Sequence, residues 1–132
     1  FGRRGLTCPP GTIGIGLGGT KDQAFAIAKQ AAQLRPVGDR HPDPVVAELE
    51  DELHEMVDGL GLGAMGYPGS GGYATDVHME IAYTHSALTP LGIHQLCQAA
   101  RRAVIRVSQD GTMEPRDVPA WFSEYSRREG VQ

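Results

Sequence analysis

The sequence is poor in cysteine, in aromatic side chains and in charge of one sign, and each shortage removes a class of protein. Cys8 and Cys97 are its only two thiols, too few and too far apart for a disulfide-stapled mini-domain or a CxxC metal knuckle. Aromatic residues make up 6% of the chain, and the formal charge of -4 is spread over mixed acids and bases with no basic stripe. Nucleic acid is therefore not an expected partner. No apolar run approaches the length of a membrane span, and the first twenty residues lack the regions of a signal peptide. The expectation is a cytoplasmic protein without a membrane partner.

With 132 residues and 40% apolar content, the chain has room for one domain with a single modest core. Its 18 glycines and 9 prolines cluster between periodic segments, which suggests a loop-rich site rather than a low-complexity tract. The chain begins at Phe1 rather than at a methionine, and reads as one that was cut, processed or incompletely represented.

Residues 12–17 read as a short strand of β-branched and apolar residues punctuated by glycine. A helix follows over 21–34, with Thr20 as N-cap and Ala24, Ile27, Ala28, Ala31 and Leu34 on one face. Arg35-Pro36 stops it. Asp43-Pro44 opens a second helix that runs to Gly59 with an acidic exposed face. The glycine-dense run 59–72 reads as a functional loop. Residues 73–83 read as a strand with Val77, Met79, Ile81 and Tyr83 on one face, and 88–93 as a second apolar run interrupted by Pro90. Residues 99–107 fit helix or strand, 109–112 a turn, and a last short helix from Asp117 would carry Trp121, Phe122 and Tyr125.

Gly14-Ile15-Gly16-Leu17-Gly18-Gly19 satisfies GxGxxG between a strand and a helix, the setting of a dinucleotide fingerprint. A nucleotide fold would need a second parallel strand after that helix, where this chain has the turn-rich stretch 35–44, and this argues against nucleotide binding. An anion site at the helix N-terminus stays open, because the amides of Gly18, Gly19 and Thr20 suit a carboxylate as well as a phosphate.

Of the five histidines, His41 and His54 read as surface residues. The sequence has no HxH or HxxxH pair, so a histidine-based zinc site is not expected. His85, in Thr84-His85-Ser86-Ala87, directly follows a strand, where α/β proteins present chemistry; a core histidine bonded to a backbone carbonyl is the alternative. Cys97 is followed by Arg101 and Arg102, which would favour its thiolate if the segment were helical. Cys8 precedes Pro9-Pro10, a stiff setting that suits a ligand to a preformed cluster.

Three blocks, CPPGTIGIGLGGTKDQAFAIAKQAAQLRPVG from Cys8, DPVVAELEDELHEMVDGLGLGAMG from Asp43 and THSALTPLGIHQLCQAARRA from Thr84, together resemble the alpha region of class I fumarases and tartrate dehydratases. The resemblance implies an α/β fold, a mixed small sheet with flanking helices, forming the C-terminal part of the cluster-binding domain over 1–108. Residues 109–132 would then be a turn and short helix leading toward a beta portion. It further implies a hydro-lyase that hydrates or dehydrates a dicarboxylate such as fumarate, malate or tartrate, on a [4Fe-4S] cluster held by three cysteines.

Cys8 and Cys97 match the second and third of these ligands. The first ligand and a KGGGSEN-like stretch lie upstream in the family pattern and do not occur in this sequence, so the isolated chain is not expected to be active. The resemblance makes His85 the histidine that faces the substrate and matches Arg101 to an arginine shortly after the third cysteine that serves cluster or substrate, with a role in the fold as the alternative; Gly19 and Thr20, from the helix N-terminus, are the other candidate substrate contacts. It also implies a beta subunit or domain, in a homodimer or heterotetramer. The competing expectation is a truncated, cluster-free homologue acting as a binding or structural module.

Overall fold

The glycine-punctuated run becomes strand β1 (Gly11–Leu17), and Thr20 caps helix α1 (Lys21–Leu34) by accepting the Gln23 amide at 3.3 Å. Asp43 caps α2 (Pro44–Asp58) through its carboxylate and the Val45 amide, with proline at the first helical position. Strands β2 (Ala74–Ile81) and β3 (Leu91–Gln95) follow, then β4 (Val104–Val107) and β5 (Met113–Arg116). This computed structural model describes residues 8–63, 67, 72–97 and 103–116.

The main sheet has the order β2-β1-β3. β2 runs parallel to β1 after the two-helix crossover, and β3 returns antiparallel on the other side. The architecture is the expected small mixed sheet with flanking helices. β4 and β5 form a separate antiparallel hairpin closed by a turn in which the Ser108 amide donates to the Thr112 carbonyl. The hairpin spans residues 104–116, on both sides of residue 108. Val-Ile-Arg-Val takes the strand alternative, as β-branched residues favour. The helix expected from Asp117 lies outside the described residues.

The glycines of β1 are explained by α1. A Cβ at Gly14 would lie 2.0 Å from the Ala28 carbonyl oxygen, and one at Gly16 would lie 2.0 Å from that of Ala24. The helix thus rests directly on the strand backbone, and Ala24, Ala28, Ala31 and Ala32 are buried with it. The GxGxxG pattern is a packing device here.

β2 is an edge strand, yet its outer backbone groups are occupied by side chains rather than by another strand. The Met79 amide donates to Glu50 at 2.7 Å and the Met79 carbonyl accepts from Arg35 at 3.1 Å. The Ala74 amide donates to Asp58, and the Ala74 carbonyl accepts from His54 at 3.1 Å. Helix α2 covers the edge in this way, which prevents further strand pairing. The acidic face expected to be exposed is therefore turned inward at Glu50, which is fully buried, and His54 is only partly exposed.

Candidate functional site

Parallel β1 and β2 and antiparallel β3 define two ends of the sheet, and the site residues expected from sequence divide between them. Cys8 leads into the start of β1, and Cys97 follows the end of β3 on the neighbouring strand. The Leu96 amide donates to the Thr12 carbonyl at 2.9 Å, extending the pairing to the brink of Cys97. Gly11 makes this approach possible, since a Cβ there would lie 2.1 Å from the Leu96 carbonyl oxygen. Distant in sequence, the two thiols meet without forming a disulfide: a hydrogen bond with Cys97, then Coulombic repulsion from it, then slight burial raise the Cys8 thiol above its ordinary value.

Tyr73 and Gln95 sit at the same end. The Tyr73 hydroxyl donates to Gln95 Oε1 at 3.5 Å, and Gln95 Nε2 is buried without a hydrogen-bond partner. Sequence reasoning missed both. The available signal was positional: Gln95 lies two residues before Cys97, at the end of β3, and Tyr73 immediately precedes the strand parallel to β1.

At the opposite end, Gly18, Gly19, Thr20 and the connection from β2 to β3 meet. The Gly19 amide donates to the Tyr83 carbonyl at 3.1 Å and the Gly18 amide to the Pro90 carbonyl at 2.9 Å, while the Thr84 hydroxyl reaches the carbonyls of Gly19 and Leu88. Of the amides expected to form an anion site, the N–H groups of Gly18 and Gly19 thus donate to backbone carbonyls. Thr20 is exposed, and its oxygen accepts the Gln23 amide.

His85 is exposed in this connection. Its Nδ1 accepts the Ala87 amide at 3.1 Å and its carbonyl accepts the Leu88 amide at 2.9 Å, so the residue closes a turn. The seven residues of β1 lie between this end and the thiols, about 20 Å at ~3.3 Å per residue. Within this chain His85 and the cysteines do not face one common small ligand. Arg101 lies outside the described residues, as does most of the glycine loop.

A third cluster is buried between α1, α2 and β2. Glu50 pairs with both terminal nitrogens of Arg35 at 2.5 and 3.3 Å and also accepts the His41 amide. Asp76 accepts the Gly38 amide at 2.6 Å and faces Arg40 at 3.0 Å and His78 Nε2 at 3.1 Å, while His78 Nδ1 donates to the Ala31 carbonyl. Burial alone would raise the Asp76 carboxyl, but the hydrogen bonds from His78 and from the Gly38 and Val77 amides hold it well below the usual range. Glu80 has the opposite balance: burial outweighs the nearby Arg35 and pushes its carboxyl up to about 7. Asp76, His78 and Glu80 alternate along β2, and the face they share is covered as thoroughly at Asp76 and His78 as the apolar one.

Among the described residues no group of three or more His, Cys, Asp or Glu side chains gathers as a ligand set. The Cys8 and Cys97 pair still fits part of a cluster site. Two adjacent thiolates repel each other, and a cation bound by both relieves that repulsion.

This thiol pair, on a sheet built from the glycine-rich strand and its alanine-rich helix, has a family context. The chain belongs to the fumarate hydratase (Fumerase) family, whose model matches residues 3–106. It is 48% identical over 109 residues to a protein of Methanocaldococcus jannaschii provisionally named L(+)-tartrate dehydratase subunit alpha, covering 83% of this chain and 38% of that protein. It is also 38% identical over 107 residues to the L(+)-tartrate dehydratase subunit alpha of Escherichia coli strain UTI89, covering 81% and 35% respectively. The chain thus spans little more than a third of the curated relatives it matches. Among the described residues no helix is long and apolar enough to cross a membrane.

Proposed function

We propose that this chain is part of the alpha portion of an iron-sulfur hydro-lyase that interconverts a hydroxy-dicarboxylate and its dehydrated product, with malate and fumarate or tartrate as the substrate class. In this reading Cys8 and Cys97 supply two of three cysteine ligands to a [4Fe-4S] cluster. The third ligand comes from sequence outside this chain, and a beta subunit or domain completes the enzyme as a homodimer or heterotetramer in the cytoplasm, where thiols stay reduced. Family membership supports the reaction class. The observation that carries the site assignment is the meeting of the two thiols at one end of the sheet.

When bound, the cluster would supply an open iron position acting as a Lewis acid toward the departing hydroxyl. The chain's own contribution is positional: Gly11 lets the two ligand-bearing turns touch, and the β1–β3 pairing holds them in register. Arg101 is a candidate to balance charge near Cys97 or to hold a substrate carboxylate. His85 and Thr20 enter on resemblance and sequence position, at the far end of the sheet. A base is not assigned to any residue here.

The test is made on the full alpha and beta portions, co-expressed and reconstituted without oxygen. Cys97→Ser should lose iron, sulfide and hydration activity together, and a variant that kept a normal cluster would sink the ligand assignment. In the same preparation His85→Asn should retain iron and turn over more slowly; unchanged turnover would leave His85 only the turn it closes.

A further inference from the structure

We propose that Gln95 is a positioning residue whose side-chain amide donates a hydrogen bond to sulfur at the Cys8 and Cys97 end of the sheet. The inference rests on the cluster reading above and deepens it. Gln95 is the last residue of β3 and pairs with Ile13 of β1. Gly14 lies against α1, so Ile13, one residue away, and its cross-strand partner Gln95 lie on the other face. Alternation continued past the end of the strand would bring Cys97, two residues on, to the same side.

The amide is poised rather than merely nearby. Gln95 Nε2 is buried and unpartnered, although the opposite end of its amide is held by the Tyr73 hydroxyl. That contact directs the NH2 group away from Tyr73. The same nitrogen is 3.7 Å from the position a Cβ would take at Gly11, the first residue of β1, three residues after Cys8. A buried N–H at the end of the sheet that carries the two thiols would find an acceptor of the right kind in sulfurs bound to iron as thiolates.

His94 Nε2 is also buried without a partner, but His94 pairs with Gly14 and so faces α1, where Lys29 helps to lower its pKa after burial itself. It does not share the sulfur side. Among the described residues Gln95 therefore stands alone in combining an unsatisfied donor, a fixed orientation and the correct face of the strand.

Hydrogen bonds to cluster sulfurs withdraw electron density and raise the reduction potential. The experiment uses the complete enzyme, anaerobically reconstituted, with iron and sulfide analysis, an EPR-monitored redox titration and resonance Raman spectra. Gln95→Leu should keep its iron, lower the cluster midpoint potential and move the Fe–S stretching bands to higher frequency. Tyr73→Phe, which releases the amide's orientation without removing the donor, should shift both in the same direction by less.

A potential and bands identical to wild type in Gln95→Leu, with full iron content, would overturn the inference alone. Loss of iron in that variant would also overturn it, because the amide would then support the ligand turns rather than the sulfurs. A wild-type enzyme that loads no cluster would overturn the site reading and this inference together.

Discussion

Replacing Glu50 by alanine should destabilise the protein more than any other single acidic substitution on α2, because Glu50 fastens three elements at once. It is fully buried and accepts hydrogen bonds from Arg35 of the α1 exit, from the Met79 amide on the edge strand and from the His41 amide before α2. Truncation leaves a buried guanidinium short of its main partner and strands two amides. Removing one member of a buried ion pair costs about 3 to 5 kcal/mol. The stranded amides do not add in full, since Arg35 keeps Asp39 at 2.8 Å and the Met79 carbonyl at 3.1 Å.

For a domain of this size that loss corresponds to a drop in Tm of roughly 10 to 20 °C. Thermal and urea unfolding followed by circular dichroism provide the assay, with Glu48→Ala as the control on the same helix. Glu48 is exposed, so its replacement should stay within about 0.5 kcal/mol of wild type. If Glu50→Ala behaved like Glu48→Ala, Glu50 would not be the fastening described. Glu50→Gln, which keeps an acceptor and loses the charge, should fall between the two.

Glu80 predicts a pH dependence of definite sign. Its folded carboxyl is raised from 4.5 to about 7, so the folded state binds the extra proton and stability falls as pH rises from about 4.5 to 7. Glu80→Gln should flatten that part of the Tm-against-pH profile, and an unaltered slope would count against the burial of the group. Asp76 acts oppositely: its depressed folded pKa gives stability that is lost as pH falls below its ordinary range. Gly14→Val should prevent α1 from seating, because its Cβ would overlap the helix backbone at Ala28; a well-folded variant with wild-type unfolding would refute the packing account of the glycine pattern.

Local signals placed the two helices and their caps well. Thr20 and Asp43 are N-caps for the reason their side chains predict, and α1 buries the alanine and isoleucine face read from its spacing. The acidic residues of α2 were less legible. Periodicity marks Glu50 as polar and therefore outward, yet Arg35 and the bare edge of β2 supply enough donors to bury it. The same holds for Asp76 and His78, polar residues in a strand whose polar face turned out to be a second interior.

The sequence by itself determined where helices start and stop, because capping and hydrophobic spacing act within a few residues, and its three ordered blocks determined the family. Only the tertiary structure decided which distant residues meet. Strand order and direction bring Cys8 to Cys97 with Gln95 at the same end, and send His85 to the far end of the same sheet. No local pattern encodes that choice, because β3 reverses direction against β1 through pairing between residues far apart in the chain, and that reversal sets which ends coincide.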